Sequence, residues 1–137
     1  MIFITRREHF NAAHRLFNKD WSEEENLRVF GKCSNPNWHG HNYELFVTVK
    51  GNADLSTGFV MNLTLLSLII KEAILDQADH KNLNIEVPFM KDILPTTENL
   101  SVAIWNTLKP RVEKHGAKLH CVKIKETENN FVEYFGG

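Results

Sequence analysis

The sequence contains little cysteine, no long apolar run and almost no net charge. Its two cysteines, Cys33 and Cys121, stand in very different contexts, which argues against a disulfide framework and suits a reducing compartment. The longest apolar stretch, LTLLSLII, is far short of a membrane span. The formal net charge is -1, so no strong field favours nucleic acid or a membrane as a partner. The stretch MIFITRREHF becomes charged too soon for a signal peptide, and we therefore expect a soluble cytoplasmic protein.

Internal repeats, low-complexity runs and linkers are also missing. The 137 residues fit one domain, residues 1–137, and the apolar fraction of 42% is ordinary for a globular protein with its own core. A short chain of this kind is helped by oligomerising, because a small core buries only part of the surface.

The apolar pattern predicts an α+β domain: an antiparallel four-stranded sheet with two helices on one face. In the clearest strand, Tyr43, Leu45, Val47 and Val49 share one face by strict alternation. The predicted strands are 2–10, 41–51, 118–126 and 131–135, and the predicted helices are 63–77 and the segment after LPTTEN. Such a small sheet leaves its edges open. Either the chain is a monomer with protected edges, or subunits join edge to edge.

The stretch CSNPNWHGHNY places a thiol and two imidazoles close together. His39 and His41 point to the same face of an extended segment, so both can reach one ion. A third imidazole would give the three-nitrogen arrangement of a catalytic zinc site with an open position. The remaining histidines are His9, His14, His80, His115 and His120. We favour His14, which follows the first strand and has the small Ala12 and Ala13 before it. The alternative is a turn with two exposed histidines.

The role of Cys33 is left open by spacing alone. As a fourth ligand it would close the metal shell and make the site structural, whereas a free thiol beside an open zinc would be chemical. Cys33 lies in the polar run GKCSNPN, next to Lys32, which makes an inert buried thiol less attractive here than for Cys121.

Two further groups of polar residues have both a functional and a plain structural interpretation. Asp79 and His80 can form an oriented acid–base pair, but sequence neighbours rarely converge, so adjacency alone favours polar residues at a helix end. Glu126 follows the face of Val122 and Ile124 on the predicted strand. It can accept two parallel hydrogen bonds from a guanidine-like ring edge, or it is a solvated charge at a strand end.

Six blocks of the chain, in order, carry a resemblance to a known family. They are FNAAHRL, EENLRVFGKCSNPNWHGHNYELFVTV, TGFVMNL, DHKNLN, PTTENLSVAIWNTL and KETENN. Together these blocks resemble 6-pyruvoyl-tetrahydropterin synthase and its relatives. The resemblance implies a tunnelling-type fold in which three subunits close an antiparallel barrel and two trimers form a hexamer. Active sites would then lie between subunits.

The resemblance also implies roles for individual residues. Zinc would be held by His14, His39 and His41. The catalytic residues would be Cys33 as general base, Asp79 and His80 as the rest of a proton relay, and Glu126, which would also bind the pterin ring together with Thr97. A thiol whose pKa is lowered by nearby cationic charge can act as a base near neutral pH.

The implied reaction is a zinc-dependent conversion of 7,8-dihydroneopterin triphosphate to 6-pyruvoyl-tetrahydropterin with elimination of triphosphate. Five residues separate Cys33 from His39, as in the biopterin-forming branch, whereas the branch that makes 6-carboxy-tetrahydropterin for queuosine typically has three. That second activity and a non-catalytic zinc- or pterin-binding protein are the alternatives. Trp38 departs from the small residue expected before His39. Lys32, Arg15 and Lys81 are candidates for the triphosphate because they lie near motif residues.

Overall fold

The structure is a computed structural model that describes residues 1–137. Its strands are β1 (Ile2–His14), β2 (His39–Gly51), β3 (Lys81–Asn82), β4 (Lys118–Lys125) and β5 (Phe131–Tyr134). Its α-helices are α1 (Glu23–Phe30), α2 (Leu63–Ile70), α3 (Asp76–Ala78) and α4 (Thr97–Glu113). Short 3₁₀ turns lie at Gly31–Ser34 and Pro88–Met90, and a π-helical turn at Lys71–Leu75 joins α2 to α3.

One sheet contains all five strands, in the order β3-β1-β2-β4-β5. The prediction of four antiparallel strands was wrong, because β3 adds a fifth strand that runs parallel to β1. This strand has two residues, too few for alternation to be visible in a sequence. It pairs with Ala12 and Ala13, whose small side chains allow the close approach of a neighbouring backbone.

The core lies between one face of the sheet and the helices. Tyr43, Leu45, Val47 and Val49 of β2 are all fully buried, as the alternating pattern predicts. The apolar stripes of α2 and α4 cover this face, with Leu66, Ile70, Leu100, Ile104 and Leu108 fully buried in the same cluster. The opposite face of the sheet is more exposed and carries side chains such as Thr5, Thr48 and Glu44.

Local capping places the start of α4 beside the open end of the sheet. Thr96 caps the helix by accepting a hydrogen bond from the Asn99 N–H at 3.1 Å, so α4 begins at Thr97, inside the LPTTEN segment and not after it. The cap puts Thr97 in the first turn and leaves the Pro95 carbonyl just outside the helix. No helix of the chain combines the length and the apolar character needed to cross a bilayer.

Candidate active site and metal centre

The three histidines are brought together by the register of the first hairpin. In the pairing of β1 with β2, His14 lies opposite His39 and Ala12 lies opposite His41. His39 and His41 therefore share a face with His14, next to one another at the end of the hairpin. One ring nitrogen from each of the three side chains lies within 4.8 Å of the others. This geometry confirms that His14, His39 and His41 can share one metal ion.

Hydrogen bonding orients the most buried of these rings. His14 is only 1% exposed, and its Nδ1 lies 2.8 Å from the carbonyl oxygen of Pro95. A carbonyl can only accept, so Nδ1 carries the proton and Nε2 presents a lone pair. The buried ring nitrogens without a hydrogen-bond partner are Nε2 of His14, both nitrogens of His39 and Nε2 of His41. Buried polar atoms are rarely left unpaired, and since each neutral ring has one lone pair to offer, this concentration of unpaired nitrogens fits a bound cation.

The surroundings of His14 and His39 favour the neutral form of these two imidazoles. Burial lowers the pKa of His14, the hydrogen bond to Pro95 opposes this, and His39 and His41 lower the pKa again. Burial also lowers the pKa of His39, with a further lowering from His41. Neutral imidazole is the ligand form, so the lowered pKa values of His14 and His39 favour metal binding over protonation at these two rings.

Cys33 lies beside the histidine cluster but outside it. The thiol does not join the group whose donor atoms lie within 4.8 Å of one another. It lines a cavity of about 790 Å³ together with His39, His41, Arg15 and Lys32. Burial raises the pKa of the Cys33 thiol, and the Glu126 carboxylate raises it further. The protein's own groups therefore do not supply the lowering that sequence reasoning expects, and a bound cation would have to do so.

Asp79 and His80 converge, although their adjacency in sequence argued against it. Nδ1 of His80 lies 3.1 Å from Oδ1 of Asp79, and the left-handed backbone of His80, with φ +60°, accompanies this contact. The same carboxylate oxygen accepts a hydrogen bond of 2.9 Å from the backbone N–H of Asn11. That N–H is the main reason why the pKa of Asp79 is lowered; burial opposes it, and His80 adds to it. The pair is therefore an ionised carboxylate that holds an imidazole.

The Glu126 carboxylate lies next to the His41 ring. Its Oε1 is 3.5 Å from Nε2 of His41, and its Oε2 accepts a hydrogen bond from the Thr97 hydroxyl. The Glu126 side chain is 22% exposed and lines two cavities, one with Thr97 and Asn130 and another with His41. Glu126 is therefore a partly buried, oriented carboxylate, and the interpretation as a solvated charge is not supported.

The structure does not bring every predicted residue into one cavity of a single chain. Three cavities meet at Gly40 and His41. Cys33 lines one of them and His80 lines another, and no hydrogen bond or ion pair joins the two residues. The His80 side chain is 76% exposed, which leaves its outer side open to a neighbouring molecule.

Sequence reasoning missed the residues that hold this site in place. The Asn11 carbonyl accepts a hydrogen bond of 2.6 Å from the His80 N–H, and the Asn84 side chain both accepts from Arg15 N and donates to Arg15 O, each at 2.9 Å. Asn84 lies in the DHKNLN block, so that block is a signal for it. The Pro95 carbonyl carries no side-chain signal and was not predictable.

Trp38 adopts a backbone conformation that favours a smaller residue. Its φ is +68°, in the left-handed region that glycine enters at little cost. A tryptophan at this position, immediately before His39, is therefore unusual because its backbone is in a conformation that most residues other than glycine avoid. Trp38 does not line the three cavities that meet at His41.

An α+β fold with a three-histidine cluster that could hold a metal ion, a half-buried thiol and an oriented carboxylate is typical of a metal-dependent enzyme. The family model of 6-pyruvoyl tetrahydropterin synthase matches residues 3–137. The chain belongs to the 6-pyruvoyl tetrahydropterin synthase family.

Individual relatives agree with this assignment. A 6-pyruvoyl tetrahydrobiopterin synthase of Pongo abelii is 52% identical over 133 residues, which cover 97% of this chain and 90% of that protein. The structure of Caenorhabditis elegans 6-pyruvoyl tetrahydropterin synthase matches with a TM-score of 0.91 and 37% identity, over 99% of this chain and 96% of that one. A 6-carboxy-5,6,7,8-tetrahydropterin synthase of Bacillus subtilis is 30% identical, over 96% of this chain and 83% of that protein.

Proposed function

We propose that this protein is a 6-pyruvoyl-tetrahydropterin synthase, a lyase that converts 7,8-dihydroneopterin triphosphate to 6-pyruvoyl-tetrahydropterin and releases triphosphate. The observation that carries the proposal is the arrangement around His41. A histidine cluster with unpaired nitrogens lies between a thiol that is not one of its members and a carboxylate held by Thr97. A site that only stores a metal has no need of the last two groups.

Zinc is the metal that we propose for His14, His39 and His41. The donor set fits, because three imidazoles with free lone pairs and a carbonyl-bound Nδ1–H on one of them are typical of catalytic zinc. When bound, zinc would polarise the oxygens of the substrate side chain and acidify the neighbouring C–H positions.

Cys33 is the proposed general base. Its thiolate would take a proton from the substrate side chain in the cavity that it shares with His39. Asp79 and His80 would complete the proton relay, with the carboxylate fixing the imidazole tautomer through the 3.1 Å contact. Because His80 and Cys33 line different cavities of one chain, the relay is completed most simply by residues of two chains.

Glu126 is the proposed anchor for the pterin ring. A carboxylate can accept two parallel hydrogen bonds from the amino group and ring N–H of a pterin, and this pairing fixes the ring in one orientation. Thr97 donates to one carboxylate oxygen and so holds the plane of the group. The proposed anchor lies beside His41, so a ring bound there would have its side chain next to the proposed metal ligands.

Assembly into a trimeric barrel and a hexamer is also part of the proposal. The sheet has two open edges. Residues 2–10 of β1 pair only with β2, and β5 pairs only with β4. Unpaired strand edges and the exposed Ile2 and Phe3 favour pairing with another subunit. Closure of a barrel removes such edges altogether.

We further propose that residues 1–137 form one pterin-synthase domain in the cytoplasm. The single apolar cluster, which runs from Phe10 to Ile124, supports one domain. The two cysteines are both free thiols, which fits a reducing compartment.

Product identification tests the proposed function. Purified enzyme is incubated with 7,8-dihydroneopterin triphosphate, and the products are identified by mass. Formation of 6-pyruvoyl-tetrahydropterin and triphosphate is the expected outcome. Formation of 6-carboxy-tetrahydropterin with acetaldehyde would instead assign the queuosine branch, and unchanged substrate would assign a binding protein. The spacing from Cys33 to His39 and the higher identity to the biopterin-forming relative both favour the first result.

A further inference from the structure

The three cavities that meet at His41 differ in their charge. The cavity with His80 has Lys81 and Glu86 in its lining, one cation and one carboxylate. The cavity between β1 and β4 has Arg7 and Lys125, but both already pair with Glu44, at 2.5 and 3.3 Å. In both of these cavities the positive side chains are matched by carboxylates, so neither cavity offers a net positive charge to a polyanion.

The Cys33 cavity does have such a surplus. Arg15 and Lys32 both lie in its lining, against the single carboxylate of Glu23. Neither cation takes part in any ion pair of the chain. An unpaired, permanently charged guanidinium in a cavity is a typical anion-binding group, because Arg stays protonated and offers donors in a planar fork.

Arg15 is also held in a fixed place. Its Nε–H donates to the Ser34 carbonyl at 2.8 Å, and its guanidinium lies 4.1 Å from the ring centroid of Phe17. The Asn84 side chain makes two hydrogen bonds to the Arg15 backbone, accepting from its N–H and donating to its carbonyl oxygen. Because Nε is used by the protein, the two terminal nitrogens of the guanidinium are left for a ligand, and little side-chain entropy is lost when they bind one.

We propose that Arg15 and Lys32 form the subsite for the triphosphate group of the substrate. This inference rests on the proposed function for the identity of the ligand. The subsite lies in the same cavity as Cys33 and His39, so a substrate held there has its side chain beside the base and the metal ligands. Lys81, the third candidate from sequence, lines the other cavity and is not part of the subsite.

Inorganic tripolyphosphate is the probe, because it isolates the charged part of the ligand. Its dissociation constant is measured by calorimetry for the unaltered protein, Arg15→Gln and Lys32→Gln, with Arg111→Gln as an exposed control outside the cavity. Each cation removed should weaken binding by about 10- to 100-fold, the usual worth of a charge-assisted contact. Unchanged affinity in either variant overturns the proposal. Lys32 is exposed and has no recorded side-chain bond, so its variant decides the question if Arg15→Gln does not fold.

Three further measurements separate this subsite from its neighbours. The metal content of each sample is determined, because a loss of affinity in parallel with a loss of metal would assign the phosphate to the metal and overturn the proposal. Binding of 7,8-dihydroneopterin, which lacks the phosphates, should be the same in all variants. In turnover, Arg15→Gln should raise KM more than it lowers kcat. If the enzyme forms no pyruvoyl product, the proposed function fails, while the tripolyphosphate titrations still decide the subsite.

Discussion

Replacement of Cys33 by alanine separates a base from a metal ligand. The thiol lies outside the histidine cluster and makes no recorded side-chain hydrogen bond. The Cys33 carbonyl accepts a hydrogen bond of 2.8 Å from the Leu16 N–H, and alanine keeps this bond because it belongs to the backbone. The substitution therefore removes no member of the histidine cluster and no hydrogen bond of the loop. We expect a change of about 1 kcal/mol or less in the free energy of unfolding.

The expected loss of rate is much larger than this loss of stability. A positioned general base contributes roughly 10²–10⁴ in rate, equivalent to about 3–5 kcal/mol in the activation free energy. Cys33→Ser should lose nearly as much, because a hydroxyl is far harder to deprotonate than a thiol. Glu126 is the proposed anchor of the pterin ring, so binding of the ring should be retained in both variants.

The assay compares turnover of 7,8-dihydroneopterin triphosphate with metal content in the same preparations. Cys121→Ala is the matched control, since that thiol is buried on the sheet away from the histidines and its loss should leave turnover unchanged. If Cys33→Ala loses metal in step with activity, the thiol is a fourth ligand, and the reasoning that makes it a base is wrong.

Four further outcomes are expected. His41→Ala should lose most of its metal, about one zinc per chain in the unaltered protein, as measured by elemental analysis. Glu126→Gln should weaken pterin binding by roughly 2–5 kcal/mol in calorimetry, because one acceptor becomes a donor and the charge is lost. In metal-free protein, alkylation of Cys33 followed by mass spectrometry should require a higher pH than in an unfolded peptide, because burial and Glu126 raise the pKa of the thiol and so lower its thiolate fraction. Sedimentation should show an oligomer, since the open strand edges favour pairing between subunits, and we expect activity to depend on this assembly.

Each of these outcomes has a matched control or a contrary result. His115→Ala, an exposed histidine outside the cluster, should keep its metal, and equal metal in His41→Ala would reject the ligand assignment. Glu133→Gln removes an exposed carboxylate from β5, outside the two cavities that Glu126 lines, and should bind pterin normally. Alkylation of Cys33 at the pH typical of free thiols would contradict the effect of burial. A fully active monomer at assay concentration would refute the need for assembly.

The sequence by itself determined the long elements and pointed to the three histidines that could hold a metal ion. Alternation over residues 41–51 predicted the buried face of β2, and Tyr43, Leu45, Val47 and Val49 are all fully buried. The same period of two placed His39 and His41 on one face, and the short strand-end segment containing His14 supplied the third ring. These predictions succeed because a period of two needs only neighbouring residues to be visible.

Only the tertiary structure decided how distant segments meet. The carbonyl that orients His14 belongs to Pro95, 81 residues away, and a backbone acceptor leaves no trace in the type of its side chain. The two residues of β3 are too few to show a pattern, yet their pairing with β1 brings Asp79 and His80 to the site. Arg15 and Lys81 likewise line different cavities. This separation depends on how the strands pair in the sheet, and the spacing of residues along the chain does not reveal it.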